Sequence, residues 1–218
     1  IASNATKRLC DLNKEGKANT VWGHDYASGL THSLRRGARW VTSYPCKIQL
    51  FKKDFPDYYQ ELIAEIKREN AGATPAVMAA QMFTKVCAIS ARALYLIFKA
   101  TNKQYGFVCM QVDSRDIKDT DAMIKQVEFW YDAMKKELGV EEPNVVFKLP
   151  AVEAALEAAR ILLEKNYKLC MTMNITVTQH LRFAEILSKG KKNGYLVLMG
   201  DQLDDQIAKE LEAKGVEN

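Results

Sequence analysis

The sequence predicts an α/β fold built on a parallel sheet, and three observations lead there. From Tyr105 onward, short apolar stretches alternate with segments of helical periodicity; with two earlier strands they make six strand–helix units in tandem. One stretch, Val145-Val146-Phe147, is apolar without alternation, the pattern of a strand buried on both faces. No glycine-rich phosphate fingerprint follows any strand, which favours a (β/α) barrel over a nucleotide-binding doubly wound sheet.

At 218 residues and 48% hydrophobic content, the chain can bury a sizeable core, and one domain over residues 1–218 is expected. The formal charge is +4, with cations and carboxylates interspersed, which excludes a dense nucleic-acid footprint. No apolar run reaches membrane-spanning length, and no signal peptide is visible. The chain begins at Ile1 rather than Met, so some preceding sequence is expected to be missing. Five cysteines, odd in number and widely spaced, read as reduced thiols with neither a disulfide framework nor a zinc site. A cytoplasmic protein is expected.

In chain order, residues 1–20 predict a short polar helix, and Val21–Asp25 the first strand. A helix over Ala27–Arg36 ends at Gly37, where a left-handed cap is cheap. The second strand, Arg39–Tyr44, stops at Pro45. Residues 51–70 and 74–101 predict two helices, the second opened by a Thr74 cap and Pro75 at the first helical position; the pair reads as a helical insertion at about 51–101. The strand Tyr105–Asp113 precedes a helix starting at Asp119 or Thr120, with Met123, Val127, Trp130, Met134 and Leu138 on one face. The strand ending at Lys148 precedes a helix bearing Leu156, Ala159 and Leu163. Leu169–Val177, Gln179–Ser188, Tyr195–Met199 and Leu203–Lys214 come next as strand, helix, strand and helix.

In a barrel, chemistry gathers at the C-terminal ends of the strands. Those ends carry Asp25, Ser43 and Tyr44, Gln111 and Asp113, Lys148, then Thr172, Asn174 and Thr176. Period-2 alternation puts Gln111 with Asp113 on one face, and Thr172, Asn174 and Thr176 together on another. A lysine at the tip of a buried strand is costly, because desolvation disfavours an ammonium ion; a lysine so placed can attack a carbonyl and form a Schiff base. Lys148 is the candidate nucleophile, against the plainer reading of a lysine that snorkels to solvent. Asp25 is the proton-transfer candidate, against a helix cap or surface carboxylate.

The segments V-W-G-H-D, R-G-A-R-W-V-T-S-Y-P, G-F-V-C-M-Q-V-D-S-R, V-V-F-K-L-P-A, M-T-M-N-I-T-V-T-Q and L-M-G-D-Q-L-D-D, spread over about residues 21–206, resemble the transaldolase family in content and order. The family comprises class I Schiff-base enzymes and includes the fructose-6-phosphate aldolases. The resemblance implies a TIM-type barrel of eight units, of which six are visible here. It implies transfer or cleavage of a three-carbon ketol unit of a sugar or sugar phosphate, in carbohydrate metabolism of the pentose phosphate type, with no cofactor and no metal. It matches Lys148 to the Schiff-base lysine, Asp25 to the general acid/base and Thr172 to the threonine that helps hold the catalytic water.

Three positions depart from the family. Gln111 stands where most members carry glutamate, and an amide positions water but is a poor base. Tyr44 replaces an asparagine near the Schiff base, and Gln202 replaces the phosphate-binding arginine, leaving Arg115 and Arg182 as the nearest alternative cations. Ser43, Tyr44, Asn174, Thr176 and Gln202 make up the expected substrate-binding set. With two units lacking, the strand edges are expected to be covered by an oligomer or by a complementary chain. The alternative function is a catalytically degenerate barrel serving as a structural or interaction module.

Overall fold

The computed structural model describes residues 4–26, 29–192 and 194–215; within helices, the side chains of Asn4, Thr6, Asp201, Gln202 and Leu203 lie outside that description. Five parallel strands, β1 (Val41–Thr42), β2 (Val108–Gln111), β3 (Val145–Pro150), β4 (Leu169–Asn174) and β5 (Tyr195–Leu198), succeed one another in the sheet in chain order. The helices are α1 (Asn4–Lys14), α2 (Leu30–Arg35), α3 (Ile48–Asp54), α4 (Pro56–Glu69), α5 (Pro75–Ala100), α6 (Thr120–Leu138), α7 (Glu153–Glu164), α8 (Val177–Leu187) and α9 (Gly200–Ala213). Among the described residues, no helix is long and apolar enough to cross a membrane.

The chain divides into two compact units. The first holds residues 1–111 and 127–146, the second residues 112–126 and 147–218.

In the first unit, Val41 pairs with Val108 and Thr42 with Cys109. The expected first strand is reduced to a single parallel bridge, His24 to Val41. Its ladder is nonetheless present: Arg39 N–H donates to Trp22 C=O, His24 N–H to Trp40 C=O and Thr42 N–H to His24 C=O. Gly23 lies flat against the Trp40 indole, where a Cβ would stand 2.4 Å from a ring carbon. At the bridge, His24 Nδ1 shares a 2.8 Å hydrogen bond with the Ser33 hydroxyl. Six strands were expected, and five are formed among the described residues.

The helix expected over 51–70 is two helices, broken at Phe55 because Pro56 restricts the residue before it and opens α4. Thr74 caps α5 as its sequence predicts, accepting from Val77 N–H at 3.4 Å. Phe51, Leu62, Ile66, Met82 and Val86 form one buried cluster of α3, α4 and α5. Within it runs an ionic tether: the buried Lys85 ammonium on α5 lies 2.8 Å from Glu65, 3.2 Å from Glu69 and 3.5 Å from Glu137. The Asn144 amide, wholly buried ahead of β3, donates to Ala91 C=O and Gly106 C=O.

In the second unit, β3 lies in parallel register with β4, Lys148 opposite Cys170 and Pro150 opposite Thr172, and β4 pairs with β5. Leu149, Ala158, Ala159, Leu162, Leu169 and Met171 are fully buried, as a strand–helix layer requires. The β4–β5 register shifts between Met171 and Asn174, where Met173 has a left-handed φ of 61°. α8 then starts on a reciprocal capping box between Thr176 and Gln179.

Candidate active site

All six residues of β3 are buried, and Lys148 is only 8% exposed. Little of the residue reaches solvent, against the plainer reading of a freely extended lysine. Because Lys148 is aligned with Cys170, and Thr172 lies two residues further along β4, strand alternation puts Lys148 and Thr172 on the same face. Thr172 is itself buried, at 2%. An enclosed primary amine and a hydroxyl on one face are the pieces that carbinolamine chemistry needs: a nucleophile, and a group that can hold water beside it.

The alternation that was expected to carry on to Asn174 and Thr176 breaks at Met173. The positive φ and register shift insert an irregular residue, so the three side chains do not share one face by simple period 2. The Asn174 amide instead donates to Met171 C=O at 2.8 Å and to Val197 C=O at 3.3 Å, pinning the irregularity to β5. Its Oδ1 is buried without a hydrogen-bond partner among the described residues. The Thr176 hydroxyl accepts from Gln179 N–H as the α8 cap.

The first unit collects the residues from the ends of the earlier strands. Asp25 lies past the His24 bridge, its carboxylate 2.8 Å from Lys47 Nζ. A single 3-10 turn, Pro45–Lys47, brings that lysine back beside Tyr44, and its ammonium lies 5.2 Å from the Tyr44 ring centre and 5.5 Å from that of Tyr26. The hydrogen bond to Asp25 raises the Lys47 ammonium above the ordinary lysine value, outweighing its partial burial. Lys47 was not foreseen. It sits in an ordinary turn after Pro45, and no spacing rule marks it. Ser43, buried at 2%, hydrogen-bonds the Cys87 thiol of α5, which burial pushes up to about 12. Gln111 is the last residue of β2 and half-buried.

Both cations named as substitutes for the missing arginine are already engaged by carboxylates in the second unit. Arg115 Nε lies 3.0 Å from each oxygen of Asp113, which also caps the 3-10 turn Ser114–Asp116. That capping takes Asp113 out of the strand face it was expected to share with Gln111. Arg182 holds Glu153 through both terminal nitrogens, at 3.1 and 3.0 Å. Gln202 lies in the first turn of α9, but its side chain falls outside the described residues.

Known proteins resemble this chain in sequence. A transaldolase from Mycobacterium leprae (strain Br4923) is 29% identical over 143 residues, covering 64% of this chain and 35% of that protein. The transaldolase of strain TN matches to the same extent. The chain thus spans little more than a third of the length of the curated relatives it matches. Residues 37–218 match the model of the transaldolase/fructose-6-phosphate aldolase family, a stretch that includes β1 to β5, Lys148 and Thr172. The chain belongs to the transaldolase/fructose-6-phosphate aldolase family.

Proposed function

We propose that this chain carries a Schiff-base active site that cleaves or transfers a three-carbon ketol unit of a sugar. The observation that carries the reading is Lys148, enclosed in β3 with Thr172 on the same face. The amine attacks the ketose carbonyl, and loss of water from the carbinolamine gives the iminium. A base then takes the proton from the hydroxyl on the far carbon of the bond to be broken. That carbon–carbon bond cleaves, its electrons pass into the iminium as an enamine, and an aldehyde leaves. The enamine either adds to an acceptor aldehyde or is protonated, and water releases the lysine. Asp25 is the proposed proton carrier; Thr172 and Gln111 hold the water that enters and leaves. Ser43, Tyr44, Asn174, Thr176 and Gln202 remain the proposed substrate-side residues. The substrate is a sugar or sugar phosphate, and with Arg115 and Arg182 committed to carboxylates the phosphate is held weakly.

Borohydride trapping with a panel of ketoses and hydroxyketones, read by intact mass, tests this. One reduced adduct per chain, lost in Lys148→Met, is expected. A wild-type chain that traps no ketose from the panel refutes it.

We also propose that the working form is an oligomer or includes a complementary chain. β5 ends the sheet among the described residues, and Leu198, Met173, Ile175, Val177 and Leu181 are large apolar side chains exposed by 47 to 75% in the second unit. Light scattering on the eluting protein checks this, and a monomer that binds no apolar dye contradicts it. These exposed apolar residues, together with the Asp25–Lys47 pair, support the second reading: a barrel kept for interaction after its chemistry has gone.

A further inference from the structure

A cavity of about 420 Å³ opens in the first unit between α1, the C-terminal end of α2 and the residues leading into β1. Five cations line it, Lys7, Lys14, Arg35, Arg36 and Arg39, against one carboxylate, Asp11. Among the described residues, no carboxylate lies within ion-pair distance of Lys7, Lys14, Arg35 or Arg36. Elsewhere, Lys47, Lys85, Arg92, Arg115 and Arg182 each hold a carboxylate. Five like charges around one space repel one another, and an anion between them relieves that repulsion.

The cavity has a defined floor. Cys10 of α1 donates its thiol to Arg36 C=O at 3.4 Å, and its sulfur covers Gly37 so closely that a Cβ there would stand 2.3 Å from it. Gly37, at φ 94°, makes this approach possible. Just beyond lies the Trp22 indole N–H, buried and without a hydrogen-bond partner among the described residues. Leu34 and Ile97 add apolar wall, and the volume falls in the range of sites for organic ligands rather than a bare ion.

We propose that this cavity binds a small organic diphosphate of the nucleoside diphosphate class, its phosphates on the lysines and arginines and its ring against Leu34 and Ile97. Arg36 and Arg39 offer planar forks suited to phosphate oxygens. The site is distinct from the one proposed for chemistry. Arg39 precedes β1 and Ser43 and Tyr44 come after it, so the cavity lies at the opposite end of that strand. The proposal does not depend on any reaction at Lys148.

Calorimetric titration of the full chain with ADP, inorganic pyrophosphate and adenosine tests it, with tryptophan fluorescence as a second signal. We expect one ADP per chain, weaker pyrophosphate and no saturable adenosine. Lys14→Glu and Arg36→Gln should each weaken ADP about tenfold or more. Lys189→Glu, on another basic surface, should change it less than about twofold. Lys14 is exposed, so its variant tests binding even if Arg36→Gln unfolds. The proposal is overturned by no saturable ADP binding, by equal weakening in all three variants, or by duplex DNA displacing ADP from wild type at equal phosphate concentration.

Discussion

The Asp25 carboxylate accepts a 2.8 Å hydrogen bond from Lys47, whose ammonium is also flanked by the rings of Tyr26 and Tyr44. The carboxylate assigned to proton transfer is thus held as one half of an ion pair. Asp25 remains largely exposed and Lys47 is half-buried, so the pair contributes little to stability, under about 1 kcal/mol. Its sign is set by a lysine raised on folding: the contribution is present below the ordinary lysine value and fades as pH rises through the higher folded one. Lys47→Met should therefore melt with wild type at strongly alkaline pH and slightly below it at neutral pH. Asp25→Asn should slow turnover about 100-fold while the borohydride adduct at Lys148 still forms.

Thr172→Val keeps the shape of a buried residue and removes the hydroxyl on the Lys148 face. Adduct formation should persist and its breakdown should slow about tenfold, so single-turnover traces accumulate trapped protein. Unchanged breakdown would place the water elsewhere.

Lys85 presents a different balance. Burial pulls its ammonium down, but hydrogen bonds to Glu65 and Glu69 and the charge of Glu137 outweigh burial and leave it raised. The same contact lowers the Glu65 carboxyl below its ordinary value. Lys85→Met leaves three carboxylates facing a buried thioether and should cost about 2 to 3 kcal/mol, less than a fully enclosed pair because Glu69 is half exposed. A lowered carboxyl contributes above its unfolded value and loses that contribution as pH falls through the folded one. The gap between variant and wild type in denaturant midpoints should narrow as pH drops below the ordinary glutamate range.

Gly106 approaches α5 so closely that a Cβ would lie 2.4 Å from Phe98 N, and its φ of 84° is left-handed. Gly106→Ala should destabilise by about 3 kcal/mol or more, since the obstacle is helix backbone rather than a flexible side chain. Denaturant unfolding checks it, with Gly72→Ala as control: its φ is also left-handed, but open space surrounds it.

Five strands and the helix after each of the last four could be located from hydrophobic periodicity, because Val145–Phe147 and the faces of α6 and α7 obey simple rules. The break at Phe55 was marked by the Phe-Pro pair, but the periodicity on either side ran through it. That Lys148 belongs to a buried strand was legible from the apolar run before it, although β3 runs two residues past it to Pro150. Lys47 was not, since its role depends on a turn that returns it to Asp25, a tertiary fact without a local signal. Asn174 misled because period 2 has no term for a left-handed Met173, a residue type that rarely adopts that conformation.

The irregularity at Met173 bears on how this chain tolerates change. Up to Thr172, β4 is locked to β3 residue by residue, and one slip there would turn Thr172 away from the face of Lys148. Past Met173 that lock ends, and the next residues are fastened separately, by the Asn174 amide to β5 and by the Thr176–Gln179 cap to α8. The kink therefore works as a seam. Length changes made on its far side should disturb the register at Lys148 less than changes made before Met173, the remaining tie being the Gln179 amide to Ala151 C=O.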